Sequence, residues 1–340
     1  MRYEKKSWLI FQSPYLIPDT SQLMQQTTFP NTFIIGVQKA GTTTLDDWLS
    51  QHPQIYCYET LKDVHLFARF KSFKEIEARM KQEPVAYKDE PVVLQSAVNY
   101  IFYPFMLQKI VEHSPNAKLI LILRNPVQRA FSAYSYFKKM LRENRTVHEA
   151  LLYKPKTNLP FSKDNNDFTY IEHGMYGEQV KNCLQYFTKD QLLVLDYEEL
   201  KNPSALLQKI FSFLQIDASF QPDLTPKNVT GVTKSASLQK GIIGQNKLKR
   251  FVIKYLVNPW MPVTKRKKLK AKLFEMNTGT AAVATTEEKD TTDTTDIRQY
   301  LTECFADDTK QLDALLQTSF YEKWFANTPS KEPSQPASHA

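Results

Sequence analysis

The stretch that most constrains this chain is Thr32-Phe33-Ile34-Ile35-Gly36-Val37, a β-branched apolar run that passes directly into Gln38-Lys39-Ala40-Gly41-Thr42-Thr43-Thr44. Leu45, Trp48 and Leu49 then recur at helical spacing until His52-Pro53 stops the pattern, so the segment reads as strand, glycine-containing turn and helix. Further short apolar runs, Ile55-Tyr56-Cys57, Val92-Val93-Leu94, Lys118 through Leu123 and Leu192 through Leu195, read as buried strands. Helical patterns lie between them at 103–113, 127–142, 175–187 and 203–214. Strands alternating with helices predict an α/β fold, a P-loop-like parallel sheet flanked by helices on both faces.

The 340 residues allow two domains or one large α/β domain with insertions. The organisation favours one domain over 31–326, preceded by an N-terminal extension, 1–30. Residues 277–296 are dominated by Thr, Ala, Asp and Glu, and they are expected to be a flexible loop. From Ile297, Tyr300, Leu301, Phe305, Leu312, Leu315 and Leu316 keep helical spacing as far as Trp324-Phe325, which predicts a helical C-terminal extension. Residues 327–340 are expected to be a disordered tail.

Apolar residues make up 42% and charged residues 24%, which excludes collagen, coiled coil and dominant disorder. The formal net charge of +8 points to an anionic ligand, surface or polymer. Lys265-Arg266-Lys267-Lys268-Leu269-Lys270, within the cluster 265–272, is the candidate contact for an anionic polymer or membrane surface, and no nucleic acid is expected. The three cysteines, Cys57, Cys183 and Cys304, form no CxxC pair and no metal-ligand cluster. The early apolar run Trp8-Leu9-Ile10-Phe11 is too short for a signal-peptide core, and no apolar run is long enough for a transmembrane helix. These features predict a cytoplasmic protein.

The spacing Gly36-x-x-x-x-Gly41 followed by Thr42-Thr43 nearly matches a phosphate-binding loop, in which backbone N–H groups and a helix N-terminus cradle an anion. A Walker A loop has Lys directly after the second glycine. Here that place holds Thr42, and the cation is Lys39, two residues before the glycine. A second anchor is the strand Leu119 through Leu123, which ends in Arg124-Asn125-Pro126-Val127-Gln128-Arg129-Ala130-Phe131-Ser132. Ligands of open α/β sheets bind beyond the carboxyl ends of strands, which puts Arg124 in the crevice by position. Arg124 and Ser132 are placed to grip a phosphate together, and Arg129 reads as a structural salt-bridge residue. A kinase or NTPase is the alternative, supported by Leu192-Leu193-Val194-Leu195-Asp196, which has the form of a Walker B strand.

Together these two motifs resemble the sulfotransferases that use 3′-phosphoadenosine 5′-phosphosulfate (PAPS), in particular the carbohydrate or heparan-sulfate type and its bacterial relatives. Ile35 through Leu45 resembles that family's 5′-phosphosulfate loop, and Leu123 through Ser132 its 3′-phosphate motif. Gly174-Met175-Tyr176-Gly177-Glu178-Gln179 and Leu193 through Leu200 are similar to its later helix and strand. Asn228 through Ser235, which contains Lys234, is similar to the loop that closes over the nucleotide.

The resemblance implies PAPS as cosubstrate without a metal. Lys39, Ala40, Gly41, Thr42, Thr43, Thr44, Arg124, Ser132 and Lys234 would bind it, and a carbohydrate or small metabolite would accept the sulfuryl group. It also implies an acidic general base in a Glu-x-His-Phe-Phe context. Here that stretch reads Asp63-Val64-His65-Leu66-Phe67, one methylene shorter, which leaves Asp63 and His65 as alternative bases beside the catalytic Lys39. Gln95-Ser96-Ala97-Val98-Asn99-Tyr100 departs from the family's acceptor-side loop, so the acceptor does not carry over.

Overall fold

The structure, a computed structural model, describes residues 29–58, 61–70, 72–81, 87–225 and 294–326. Residues 1–28 of the extension, Lys234, the cluster 265–272, residues 277–293 of the expected loop and the tail 327–340 lie outside the described residues.

Five strands, β1 (Thr32–Gly36), β2 (Ile55–Cys57), β3 (Val92–Ser96), β4 (Lys118–Leu123) and β5 (Leu192–Asp196), form one sheet in the order β2-β3-β1-β4-β5. Every pairing is parallel. All five residues of β1 are buried, as befits the central strand of a sheet covered on both faces, whereas the edge strand β5 is only partly buried at Leu193 and Val194. β1 pairs with β3 on one side and β4 on the other, and its register against β4 shifts between Ile34 and Gly36. The chain leaves β1 toward β3 and β2, then crosses back to β4. The strand order therefore reverses beside β1, and the crevice beyond the carboxyl ends of β1 and β4 is the ligand position of such sheets.

The helices expected from periodicity are present as α1 (Thr42–Leu49), α4 (Pro104–His113), α5 (Pro126–Lys139), α8 (Tyr176–Cys183) and α9 (Pro203–Leu214). Four short helices, α2 (Leu66–Arg69), α3 (Phe73–Met80), α6 (Val147–Leu151) and α7 (Lys163–Phe168), have too few turns to print a periodic pattern. Caps define three of them instead: the Ser72 hydroxyl accepts from the Glu75 N–H before α3, Thr146 and Glu149 form a capping box on α6, and the Ser162 hydroxyl accepts from the Asn165 N–H before α7.

The helical C-terminal extension is α10 (Thr295–Leu316) and α11 (Phe320–Phe325). α10 starts two residues before Ile297, inside the stretch expected as loop, because the Thr295 and Asp296 backbone already follows the helix. It packs against α8 so closely that a Cβ at Gly177 would collide with the Asp308 carbonyl. The Asp308 carboxylate accepts from the N–H groups of Gly177 (2.7 Å) and Glu178 (3.0 Å) at the start of α8. α11 reaches further toward the crevice. The Trp324 carbonyl accepts from the Asn125 side-chain amide at 3.1 Å, and Lys323 pairs with Asp196 at 2.6 Å. The extension thereby braces the loops that leave β4 and β5.

Candidate active site

The turn after β1 delivers the first half of the site. Gly41 caps α1 in the left-handed region, φ 86°, and a Cβ there would collide with Leu200, so only glycine fits both the conformation and the space. No side chain caps α1 and its first turn carries no acid, so its leading N–H groups stay available for an anion. Ala40 and Thr42 are buried, while Thr43 and Thr44 are exposed at the start of the helix.

Lys39 is itself left-handed, φ 69°, and its Nζ lies 4.0 Å from the centroid of the Tyr136 ring on α5. Burial, and then the nearby Arg124 and Lys139 charges, lower its pKa to about 8.

The loop after β4 delivers the second half. Asn125 caps α5, its side chain accepting from the N–H groups of Val127 (3.0 Å) and Gln128 (3.2 Å), with Pro126 at the first helical position. Arg124 Nη1 donates to the Lys39 carbonyl at 3.2 Å, which joins the two loops across the crevice. The Arg124 carbonyl is held by the Tyr176 hydroxyl at 2.9 Å, and its guanidinium lies 4.5 Å from the centroid of Tyr197, just beyond β5. Arg124 Nε is buried and has no hydrogen-bond partner among the described residues. Ser132 is half-buried one and a half turns into α5.

Arg129 departs from the salt bridge expected of it. It is fully buried, and Nη2 donates to the Tyr170 carbonyl, while no described carboxylate pairs with it. On the inner face of α5 it bonds a carbonyl, while Glu172 acts on it only through space.

Asp63 and His65 lie on the loop between β2 and α2. Asp63 has φ 57°, and its N–H donates to the Ser96 carbonyl at the end of β3, 2.9 Å away. Its side chain reaches solvent, yet the protein packed around it raises its pKa, against a lowering effect of Lys62 and with a further rise from Asp46. Asp63 also raises the pKa of Tyr136 after the larger effects of burial and Arg142, which puts the carboxylate in the electrostatic neighbourhood of the ring that holds Lys39. His65 stands at the N-cap position of α2 without a side-chain capping bond, and burial lowers its pKa. Its Nε2 is buried without a hydrogen-bond partner among the described residues, and its ring faces Phe161 and Tyr100 at 5.6 and 6.4 Å. No hydrogen bond among the described residues joins Asp63 to His65.

The structure therefore joins the Lys39 turn, with Gly41, Thr42 and Thr43 at the start of α1, to Arg124 across one crevice; Asp63 lies in the electrostatic neighbourhood of Tyr136, His65 is turned into an aromatic wall, and Ser132 stands further along α5. Sequence reasoning gave no role to three tyrosines here: Tyr136, Tyr176 and Tyr197. Tyr176 and Tyr197 did carry a signal, since both stand in segments similar to the family's later helix and strand, whereas Tyr136 carried none. It also missed the tie from Gln38 Nε2 to the Asn166 carbonyl (3.0 Å), which fastens the β1 turn to α7. Asp196, the support for a kinase or NTPase, accepts from the Glu198 N–H and pairs with Lys323 on the edge strand. Its carboxylate is a structural group, and that alternative finds no support. Among the described residues no group of three or more His, Cys, Asp or Glu is placed to hold a metal ion, and no helix is long and apolar enough to cross a membrane.

Residues 29–261 match the family model described as "Sulfotransferase domain". The human heparan sulfate glucosamine 3-O-sulfotransferase 5 is 28% identical over 199 residues, 57% of this chain and 55% of that protein. The human bifunctional heparan sulfate N-deacetylase/N-sulfotransferase 2 is 27% identical over 196 residues, 55% of this chain and 22% of that one. The chain thus spans about half or less of the length of these curated relatives. Among solved structures, a sulfotransferase from Alicyclobacillus acidocaldarius superposes with a TM-score of 0.56 at 25% identity, covering 86% of this chain and 97% of its own.

Proposed function

Because the chain belongs to the sulfotransferase domain family, we propose that it moves a sulfuryl group from PAPS to a hydroxyl or amine of a carbohydrate acceptor, by in-line displacement and without a metal. The observation that carries this reading is the bond from Arg124 Nη1 to the Lys39 carbonyl, which sets the two anion-binding loops side by side. The residues fit the nucleotide: Arg124 keeps a buried Nε with no hydrogen-bond partner among the described residues, and Gly41 leaves backbone where a Cβ would collide.

When bound, PAPS supplies the sulfuryl group and an adenosine bisphosphate leaving group. The N–H groups at the start of α1 and the Lys39 ammonium offset negative charge where it grows as a bond to sulfur breaks. Arg124 and Ser132 hold the 3′-phosphate, with Lys234 as a further ligand expected from the sequence. Asp63 takes the proton of the attacking hydroxyl at its carboxylate. Its raised pKa brings it closer to working pH and so makes it a stronger base than an ordinary carboxylate. His65, neutral and with its Nε2 enclosed, orients the loop rather than moving the proton.

A reducing, cytoplasmic location belongs to the same reading, supported by three free cysteines, and cell fractionation tests it. Heparan sulfate is named in the two human relatives, which supports a carbohydrate acceptor, and the basic cluster 265–272 is proposed as the contact for an anionic partner surface. Calorimetry is the decisive test: adenosine 3′,5′-bisphosphate should bind far more tightly than AMP or ADP, and transfer of label from PAPS should persist in chelator. Equal affinity for the bisphosphate and AMP overturns the roles of Arg124 and Ser132, and a strict Mg²⁺ requirement overturns the metal-free mechanism.

A further inference from the structure

Asp63 rides a loop between β2 and α2, so its carboxylate stands where that loop is held. β3 supplies part of the hold. The buried Gln95 donates from Nε2 to the Leu61 and Val64 carbonyls at 3.2 Å each, and the Ser96 carbonyl accepts the Asp63 N–H at 2.9 Å. These bonds fix the loop to the sheet. A base also has to stand at a set distance from the donor, and the donor belongs to the start of α1.

Asp46 connects the loop to that helix. It stands one turn after Thr42 in α1, and both of its carboxylate oxygens are engaged. Oδ1 accepts from the Ser96 hydroxyl, and Oδ2 pairs with Lys62 Nζ at 2.5 Å. Lys62 directly precedes Asp63, and Ser96 is the residue whose carbonyl holds the Asp63 N–H. One side chain of the donor helix thus grips the base at two points. The contact is also electrostatic, for Lys62 lowers the Asp63 pKa and Asp46 raises it. Groups facing Asp63 are therefore Lys62 on its own loop, Asp46 on α1 and the Tyr136 phenol on α5. With its ammonium engaged by Asp46, Lys62 is kept from pairing with the base.

Resting on the sulfuryl-transfer reading above, we propose that Asp46 is a positioning residue for the reaction, which sets the spacing between the donor end of α1 and the Asp63 carboxylate and holds the Lys62 ammonium off that carboxylate. In-line transfer is sensitive to such spacing, since a misplacement of about 1 Å can cost about 10² in rate. Asp46 touches neither the nucleotide loops nor the reacting atoms. Its loss should therefore appear in turnover and in the strength of the base, with nucleotide affinity preserved.

Two variants of the full chain test this, with a carboxyl NMR titration of labelled Asp63, assigned through Asp63→Asn, as a readout that needs no acceptor. Asp46→Asn removes a charge that raises the Asp63 pKa and releases Lys62 toward it, so the Asp63 midpoint should move down by about half a pH unit or more. Lys62→Gln removes the lowering charge, so the midpoint should move up. Opposite shifts distinguish positioning and charge from a general loosening of the fold. Turnover is read as label moved from PAPS to the best acceptor among methyl hexopyranosides, methyl glucuronide and a heparan sulfate oligosaccharide. For Asp46→Asn, kcat should fall by about tenfold or more while adenosine 3′,5′-bisphosphate affinity stays within about twofold. Midpoints that stay in place or move the same way in both variants, or an unchanged kcat in Asp46→Asn, overturn the role of Asp46. Should Asp46→Asn fail to fold, Lys62→Gln decides, and an unmoved or lowered midpoint there overturns it. Failure of the unmodified chain to bind the bisphosphate, or to label any acceptor, overturns the sulfuryl-transfer reading beneath it, a distinct result.

Discussion

The nucleotide side and the acceptor side of this crevice are built by different means. On the nucleotide side the main chain does the positioning: Gly41 in the left-handed region, the uncapped start of α1, and the Asn125-Pro126 entry to α5, all set on the buried strands β1 and β4. The two loops hydrogen-bond to each other through Arg124, and α11 braces them from behind. On the acceptor side, Asp63 and His65 ride a short loop before a four-residue helix, and side chains such as Phe161 define the walls. Backbone geometry tolerates few residue types, whereas a wall of side chains can be rebuilt one substitution at a time. One fold can therefore keep its donor and change its acceptor.

The largest effect should come from the acceptor side, at Asp63. Asp63→Asn keeps the shape and removes the basicity, so turnover should fall by about 10²–10⁴ while bisphosphate affinity is unchanged. Activity should be lost as pH falls through a midpoint above the ordinary carboxylate range, because the protein packed around the partly solvated Asp63 carboxyl raises its pKa and only the ionised form accepts a proton. His65→Asn should cost less. Near-normal turnover in Asp63→Asn with a dead His65→Asn would hand the proton to the imidazole and make the enclosed Nε2 a misreading of the working state.

Next in size is Lys39. Lys39→Ala removes a charge that matters most as negative charge develops, so kcat should drop by about 10²–10³ with a smaller loss of bisphosphate affinity. Equal losses in both would show that Lys39 serves ground-state binding, and the donor side would then be a clamp rather than a catalyst.

The same division explains how much was legible in the amino-acid sequence. β1, β4 and the phosphate loops could be read because Gly41, Asn125 and Pro126 are demanded by local backbone, and a buried parallel strand writes itself as a run such as Leu119 through Leu123. Asp63 was located only by its place in a family motif, and composition alone gave no reason to choose it over His65. Tyr136 was invisible because its role is a through-space contact with Lys39, 97 positions earlier, and no local pattern records such a meeting. The bracing by α10 and α11 was also hidden. Their helical spacing could be read, but Asp308 at the start of α8 and Trp324 behind Asn125 are long-range partners.

A smaller change should follow from Arg124→Ala, which removes a charged donor from the nucleotide without touching the reacting atoms. Bisphosphate binding should weaken by about 1.5–3 kcal/mol, the range for hydrogen bonds to charged groups. AMP should hardly notice, since it lacks the 3′-phosphate. A uniform loss for both ligands, measured by calorimetry, would mean that Arg124 acts mainly by holding the Lys39 carbonyl and that the two loops are one unit.

The smallest and most discriminating effect concerns Tyr136, which stands where the two sides meet. Its ring lies under the Lys39 ammonium, 4.0 Å from Nζ to centroid, and its phenol feels the Asp63 charge. Lys39 must be protonated to offset developing negative charge, so kcat/KM for PAPS, which reports the free enzyme, should decline as pH rises through about 8. Tyr136→Phe keeps the aromatic face and should leave that midpoint in place. Tyr136→Leu keeps bulk but removes the quadrupole that favours the cation, so the ammonium loses about 0.5–1 kcal/mol of support. Less support for the charged form means a lower pKa, and the midpoint should move down by less than about one pH unit. An unmoved midpoint in Tyr136→Leu would show that burial and the Arg124 and Lys139 charges alone set the lysine, leaving the donor and acceptor sides electrostatically separate.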